Sequence, residues 1–383
     1  MAGGTVRATP EQDELRAAVR KLLERTEGGA AWGPLTGQIG VAGLAVPEEY
    51  GGAGGGARDV YVVMEELGRA LSPVPFLGSS VLAAGALLTS GDRGACGRLL
   101  PALADGRSVG TLAWAEQGSW EPEAIRAEAV RKARGGWRIS GVKDHVLDGG
   151  GESGTQLLLV AARSEGGVTL FEVPVGGAGV QREALVTMDQ TRCQARWLFA
   201  DAEARPVGAD GDGERVLRHV RDLSCAALAA EQTGAAGRCL ELTVQHVLQR
   251  VQFGRPIGSF QAVKHRLADA YVLVESARSA ALGAARAADE DPAALPRLAA
   301  VAASVCAEAY AVVAGEMIQL HGGIGITWEH DAHRYFKRAH GAGQLFGSAA
   351  VHRARLAADI GLPLQGTDAV GEVGDVDTAD AAV

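Results

Sequence analysis

One stretch in the C-terminal half of the chain combines a cation with a turn that exposes backbone donors. It reads RVQFGRPIGSFQ and runs from Arg250 to Gln261. Apolar residues recur at helical spacing on both sides of it, and Gly254 and Pro256 break the pattern between them. A turn held between two helices can bind a phosphate group through its N–H donors and a guanidinium. The residues leave a second interpretation open, in which the turn is a plain connector and its arginine is solvated.

The elements that must position this turn are predicted from hydrophobic periodicity and from turn residues. Residues 1–107 predict a helical N-terminal domain, and 108–208 show short apolar or alternating runs typical of an antiparallel β domain. Residues 209–362 predict a C-terminal four-helix bundle. The tail, 363–383, is poor in large apolar residues and is predicted to be disordered. The fold class expected is therefore α+β with several domains.

Composition excludes several classes of protein. The 383 residues carry 37 Lys and Arg against 46 Asp and Glu, and this net charge of -9 disfavours nucleic-acid binding. No apolar run is predicted to be long enough to span a bilayer, and the N-terminus lacks the apolar segment of a signal peptide. The five cysteines show no paired spacing, so neither a disulfide framework nor a zinc site is expected. A cytoplasmic location is the expectation.

Two motifs together resemble a known family. RVQFGRPIGSFQAVKHRLAD is followed by QLHGGIG, which begins at Gln319, and then by TWEHDAHRYFKRA. Their order and spacing closely resemble the acyl-CoA dehydrogenase family, and weaker similarity runs from about residue 10 to residue 360. The resemblance implies α,β-dehydrogenation of an acyl-CoA thioester with FAD as the cofactor.

The resemblance also implies where a flavin would be held. In the family, the arginine-phenylalanine-glycine turn and the Gln-x-x-Gly-Gly loop hold the ADP half of the FAD that is seated in the neighbouring protomer. The matching residues of this chain are Arg250, Gln252, Phe253, Phe260, Gln261, Gln319, His321, Gly322 and Gly323. His321 either contacts the pyrophosphate or has a structural role only.

A catalytic base is missing at both positions that the family uses. One position, after the C-terminal glycine loop, is occupied by Phe346, and the other, on the first bundle helix, is occupied by Ser224. Neither side chain can remove an α-proton without a partner. Glu231 lies two helical turns beyond Ser224 on about the same face. It is either a relocated base or, as we favour, a structural glutamate, so no catalytic residue is assigned.

The β domain also departs from the family where the flavin ring would lie. The run WAEQGSWEPEAI has no Gly-Ser-Asp, and His145 and Leu147 stand where a tryptophan and a threonine would meet the ring. The ring site of this chain is therefore expected to be lost. Lys143 is predicted to lie at the surface, and the paired acids Glu65 and Glu66 to lie on a solvated helix face.

The chain keeps the family's residues for the ADP half of FAD and lacks those for the catalytic base and the flavin ring. By resemblance, this combination implies a subunit rather than a complete enzyme. The chain resembles the degenerate subunit of actinobacterial heterotetrameric acyl-CoA dehydrogenases of the steroid side-chain type. The expected partner is a homologous catalytic subunit in an α2β2 assembly that binds most of the acyl-CoA, with an electron-transferring flavoprotein as acceptor. Two alternatives remain open, an active homomer that uses Glu231 and a flavin-free binding or scaffold protein. His330 and His333 lack a third ligand at standard spacing, so no metal is expected.

Overall fold

The computed structural model of the protein describes residues 8–133, 135–149 and 154–362. Within them the chain forms a helical N-terminal part, a central β sheet and a helical C-terminal part. The α+β fold class predicted from the sequence is therefore confirmed. The tail that was predicted to be disordered, 363–383, lies outside the described residues.

The N-terminal part is helical, and two of its helices start at a residue whose side chain caps them. Its helices are α1 (Pro10–Leu23), the short α2 (Trp32–Pro34), α3 (Ala57–Arg69), α4 (Ala84–Ser90) and α5 (Arg93–Ala104). Thr9 and Gln12 form a capping box at the start of α1, and the Asp92 side chain caps α5. A π-helical segment, Leu77–Ala83, leads directly into α4.

The central part is one sheet of seven strands. They are β1 (Gly110–Ala113), β2 (Glu128–Arg131), β3 (Trp137–Leu147), β4 (Leu157–Ser164), β5 (Gly167–Val173), β6 (Val180–Ala184) and β7 (Gln194–Val207). The order is β1-β4-β2-β3-β7-β5, with β6 beside β7, and a further pairing of β4 with β5 closes the circuit. The pairings of β4 with β1 and with β2 are parallel, whereas the sequence predicted antiparallel pairing throughout. Alternating buried residues of these strands form a separate apolar core.

The C-terminal part contains three long helices and two shorter ones. They are α6 (Gly213–Gln249), α7 (Gln261–Glu290), α8 (Leu295–His321), α9 (Ala332–Ala342) and α10 (Ala349–Asp359). A hairpin of β8 (Val251–Gln252) and β9 (Arg255–Pro256) connects α6 to α7. The long helices α6, α7 and α8 pack on one another, and α10 packs on α8. Many of the buried contact residues are alanines, which let the helix backbones approach closely.

One helical segment of this bundle contradicts the prediction that no apolar run is long enough to span a bilayer. Leu295–Ile326 is long and apolar enough, by length and composition, to cross a membrane. Within the structure, 56% of its most apolar window is buried inside the protein. Burial of this kind is what a central helix of a packed bundle shows, because its apolar residues face neighbouring helices on several sides.

Two glycines allow α3 to cross α6 in backbone contact. A Cβ added to Gly68 would lie 2.0 Å from the carbonyl oxygen of Glu231. A Cβ added to Gly234 would lie 1.9 Å from the carbonyl oxygen of Glu65. No side chain fits at such distances, so these two positions fix how closely the N-terminal helices approach the bundle.

The same crossing buries the acids that were predicted to face solvent, and that prediction is wrong. Glu66 is only 1% exposed and accepts two hydrogen bonds from Arg20, at 2.7 and 2.6 Å. Glu65, also buried, pairs with Arg16. Burial of both carboxylates is compensated because α1 supplies a guanidinium to each of them.

The backbone contact of α3 with α6 gives a stability test. Gly234→Ala is expected to lower the free energy of unfolding by roughly 2–3 kcal/mol, because the new methyl overlaps backbone that cannot move unless the helices separate. Gly283→Ala is the matched control in α7, where an added Cβ would meet nothing within 4 Å. It is expected to raise stability by about 0.5–1 kcal/mol, since alanine favours helix interiors over glycine. Urea unfolding measures both, and equal responses would contradict the backbone contact.

Candidate functional site

The turn after α6 is a strained hairpin rather than a plain connector. Arg250 ends α6 in an extended conformation, and Phe253 and Gly254 form the two-residue turn between β8 and β9. Both turn residues have positive φ, 53° and 75° respectively, as type I′ hairpin turns require. For a phenylalanine this conformation costs roughly 1–2 kcal/mol. Its side chain is 91% exposed, so the strain presents an aromatic ring outward.

The second motif ends α8 with an unusual backbone conformation. Gly322 has φ 64° and ψ -142°, a combination that is essentially restricted to glycine. A Cβ on Gly322 or on Gly323 would meet nothing within 4 Å. Gly322 is therefore required by the conformation of the loop and not by close packing, and both glycines leave the loop backbone accessible from outside.

A column of three imidazole rings joins the loop to the hairpin. The ring centroids of His246 and His321 are 4.2 Å apart, and those of His321 and His330 are 4.4 Å apart. His246 lies one turn before Arg250, whose backbone N–H donates to the His246 carbonyl at 2.9 Å. Sequence analysis missed His246 and considered His330 only as a metal ligand. The available signal for His246 was its i, i+4 spacing from Arg250, which places both on one helix face.

The donor groups at this site fit the nucleotide half of a dinucleotide. Within the described ranges, the side chains of Arg250, Gln261 and Gln319 are exposed and make no ion pair or hydrogen bond with the protein. An unpaired guanidinium, two amides and an accessible glycine loop are suited to phosphate and to a base edge. Gln252 and Phe260 are engaged in the fold instead. Gln252 donates to the Val251 carbonyl at 2.9 Å, and Phe260 lies 4.0 Å beneath the Arg255 guanidinium.

The position of the family's base is filled by an aromatic cluster. Phe346 is fully buried, with its ring stacked on Trp114 at a centroid distance of 5.7 Å. Trp120 packs against both rings edge-on, at 5.1 Å from each. The Trp114 indole N–H donates to the Trp120 carbonyl at 3.0 Å, which fixes the cluster. Ser224, at the other base position, is also buried and donates to the Val220 carbonyl.

A cavity of about 490 Å³ remains beside this cluster. It is bounded by Trp120, His145, Gln194 and Leu345 among others, and Glu121 is its one carboxylate within the described part of the chain. The Glu121 carboxylate accepts from Arg221 at 2.8 Å, so it is already paired. His145 has φ 52° and bonds to the Gln194 amide, whereas Leu147 is buried in the core and does not line the cavity. The substituted ring-site positions therefore offer no base and no tryptophan–threonine pair.

Glu231 is placed for structure and not for proton abstraction. Its carboxylate, 2% exposed, accepts from Arg192 and, at 3.0 Å, from Arg338. Burial would raise the pKa of Glu231, but the two guanidinium charges outweigh burial and the pKa is lowered from its usual value. The adjoining cavity measures about 30 Å³, which has room for a water molecule but not for a thioester. Glu231 is thus the structural glutamate that the sequence favoured.

A further sequence prediction is wrong in this region. Lys143 is not a surface residue, because its side chain is fully buried within β3 and donates to Glu116. Burial lowers the pKa of Lys143 to about 8, although the Glu116 charge acts in the opposite direction. Trp328 is 77% exposed, with the Lys337 ammonium 4.4 Å from its ring centroid. Among the residues described, no group of three or more potential ligands could hold a metal ion.

The two halves of the site lie far apart on one helix. At a rise of 1.5 Å per residue, Arg250 is on the order of 40 Å along α6 from Ser224. The nucleotide turn and the base position on α6 are therefore separated by most of the length of that helix.

Family models match most of the helical parts of the chain. The acyl-CoA dehydrogenase N-terminal domain matches residues 9–107, and the acyl-CoA dehydrogenase C-terminal domain matches residues 211–361. The chain belongs to the acyl-CoA dehydrogenase family, whose characterised members are FAD flavoproteins and oxidoreductases.

Three relatives illustrate the similarity. Acyl-CoA dehydrogenase IpdE2 of Mycobacterium tuberculosis is 40% identical over 334 residues, which cover 87% of this chain and 87% of that protein. The solved structure of a steroid ACAD variant, Tcur3481-Tcur3483, is similar with a TM-score of 0.81 at 31% identity. The superposition covers 91% of this chain and 97% of that chain. The ChsE4-ChsE5 complex from Mycobacterium tuberculosis has a TM-score of 0.83 at 30% identity, with coverages of 94% and 100%.

Replacing Glu231 separates a structural from a catalytic role. Glu231→Gln is expected to destabilise the protein by roughly 3–5 kcal/mol, because it leaves Asp189 as the one remaining carboxylate for the two buried guanidinium groups within the described residues. It is expected to leave the kcat of any complex that still assembles unchanged. Glu290→Gln, at an exposed ion pair of α7, is the control and should change stability far less. A large loss of kcat with unchanged unfolding would identify Glu231 as a base.

Proposed function

We propose that this chain is the non-catalytic subunit of a heteromeric, FAD-dependent acyl-CoA dehydrogenase and completes the flavin site of its partner. The observation that carries the proposal is the contrast between the two ends of α6. At one end, Phe346 fills the base position with an aromatic ring packed on two tryptophans. At the other end, Arg250 and the glycine loop are accessible and unpaired in the described structure.

FAD bound in this assembly would supply the hydride acceptor for α,β-dehydrogenation of the acyl-CoA, and the carboxylate that removes the α-proton would come from the partner. The residues of this chain act on the nucleotide end only. Arg250 neutralises phosphate charge, Gln319 and Gln261 supply amide groups, and the exposed ring of Phe253 packs against the partner or the adenine. The chain therefore contributes affinity and position for the cofactor, and no proton transfer.

The hairpin and the segment after the glycine loop are rich in exposed apolar side chains. Val251, Phe253, Ile326 and Trp328 are all more than half exposed. A surface of this kind is typical of a contact with another protein chain, because single exposed aromatics are common but clusters of them are not. A homologous catalytic subunit in an α2β2 tetramer is the proposed partner, and an electron-transferring flavoprotein is the proposed electron acceptor.

A sterol-derived CoA ester is the proposed substrate class. Two solved relatives support this proposal. One is described as a steroid ACAD, which supports the substrate class, and the other is described as a complex of two chains, which supports the heteromeric assembly. One flavin for every two chains leaves space in the tetramer that a bulky ring system can occupy. The acyl group would then bind mainly on the catalytic partner.

Flavin stoichiometry tests the proposal. Co-purification with a homologous catalytic subunit is expected to give one FAD for every two chains. Arg250→Ala is expected to weaken FAD retention by roughly ten- to a hundredfold, because a charge-assisted contact to phosphate is lost. Arg286→Ala, an exposed arginine of α7 that pairs with Glu290, should not change it.

The other outcomes distinguish the alternatives. A full flavin load with dye-reducing activity on this chain alone would establish an active homomer. Absence of FAD even in the presence of a co-expressed catalytic homologue would establish the flavin-free binding or scaffold protein. Either result would contradict the shared site.

The strained hairpin gives a second test. Phe253→Gly is expected to leave the stability of the chain purified alone unchanged or to raise it by about 1 kcal/mol, because glycine adopts positive φ without strain. Association with the catalytic subunit is expected to weaken roughly tenfold or more, since an exposed aromatic anchor is removed. Calorimetric unfolding and analytical ultracentrifugation measure the two effects. Unchanged association would exclude Phe253 from the interface.

A further inference from the structure

We propose that His246, His321 and His330 form a protonatable anion-binding column, so that binding of the dinucleotide phosphates at the neighbouring turn takes up protons. This inference rests on the proposed function and concerns the regulation of the same site. The ring of His321 is stacked on that of His246 and tilted against that of His330. His246 is bonded through its backbone to Arg250, and His321 directly precedes Gly322, so the column lies beside the two elements assigned to the nucleotide.

The hydrogen bonds of the column leave specific nitrogen atoms available for protons. The Nδ1 of His321 lies 2.7 Å from the Met317 carbonyl, which can only accept, so this nitrogen carries a hydrogen. A neutral His321 is therefore unprotonated at Nε2, where a proton can be added. The Nδ1 of His330 accepts from the Ala332 backbone N–H at 3.1 Å, which places the hydrogen of a neutral His330 on Nε2 as a donor.

The charges that act on two members of the column are positive. Those that act on His321 come from His246 of α6 and His330 of the segment before α9. Those that act on His246 come from His330 and from Arg250 at the end of α6. His330 itself lies between two carboxylates in the chain, Glu329 and Asp331. In the described parts of the chain, no carboxylate is among the charges that act on His246 or His321, so a proton added to either one gains a counter-ion when an anion binds at the site.

His246 and His321 accordingly resist protonation while no anion is bound. Burial and the neighbouring imidazoles together lower the pKa of His321 to about 4, against the effect of the Met317 hydrogen bond. Burial likewise lowers the pKa of His246. A bound diphosphate supplies the missing negative charge and reverses the sign of the local potential, so the protonated forms become favoured on binding. By linkage, the nucleotide then binds more tightly as the pH falls.

Titration of the flavin-depleted heteromeric complex with FAD tests the inference. Calorimetry at one pH in two buffers of different ionisation enthalpy measures the protons taken up per FAD. The expected uptake is roughly half a proton or more near pH 6.5, and uptake of one full proton corresponds to a tenfold gain in affinity per unit of pH. The diphosphate of FAD has no titrating proton near neutrality, so the protons must go to the protein.

Substitution of the histidines tests whether the protons are taken up by the column. The triple variant His246→Gln, His321→Gln and His330→Gln is expected to bind FAD with a flattened pH profile and with most of the proton uptake lost, because no imidazole of the column remains. His219→Gln, at a histidine of α6 outside the column, is the control and should keep both. Wild-type uptake in the triple variant, or no uptake in the wild type, would overturn the inference.

Failure of this inference is distinguishable from failure of the proposed function. If Arg250→Ala weakens FAD binding but no protons are taken up, the shared flavin site stands and the histidine column is only structural. If the complex carries no FAD that depends on Arg250, both ideas fall together. Release of flavin followed by fluorescence as a function of pH gives an independent measurement, with release expected to slow as the pH falls from 8 to 6.5.

Discussion

The buried ion network around Glu231 is the interaction on which the positions of the other elements depend. Its carboxylate on α6 receives Arg192 from the segment before β7 and Arg338 from α9. Arg338 also donates to the Thr191 and Ser72 carbonyls. One charged cluster thus connects the N-terminal helices, the sheet and the bundle. Charges so deeply buried are stable only while all of them are paired, so the network permits a single arrangement of the three parts.

With α6 fixed in this way, the helix sets the distance between the two ends of the candidate site. One end meets the sheet at the aromatic cluster of Phe346, and the other presents Arg250 beyond the last turn. Because a helix holds its length, the separation does not depend on side-chain rearrangement. Accessible donors at one end and a filled base position at the other are consistent with a chain that serves a cofactor seated elsewhere.

The errors of the sequence analysis share a physical cause. Glu65, Glu66 and Lys143 were placed at the surface because charged residues are usually solvated. Each is buried because a partner distant in the chain supplies the opposite charge: α1 provides arginines for the acids, and Glu116 accepts from the lysine. Pairing between distant segments is not encoded in local pattern.

The sequence by itself determined the order of helical, β and helical parts, the two motifs that identify the family, and the absence of a base at Phe346 and Ser224. These follow from periodicity, glycine positions and residue identity, which are local properties. Only the tertiary structure decided that Glu231 pairs with two arginines and that Phe346 packs on Trp114 and Trp120. It also decided that three histidines from α6, α8 and the segment before α9 form one column of ring contacts. Those facts depend on which distant residues meet, and that is fixed by the packing of whole helices and strands rather than by the spacing of residues along the chain.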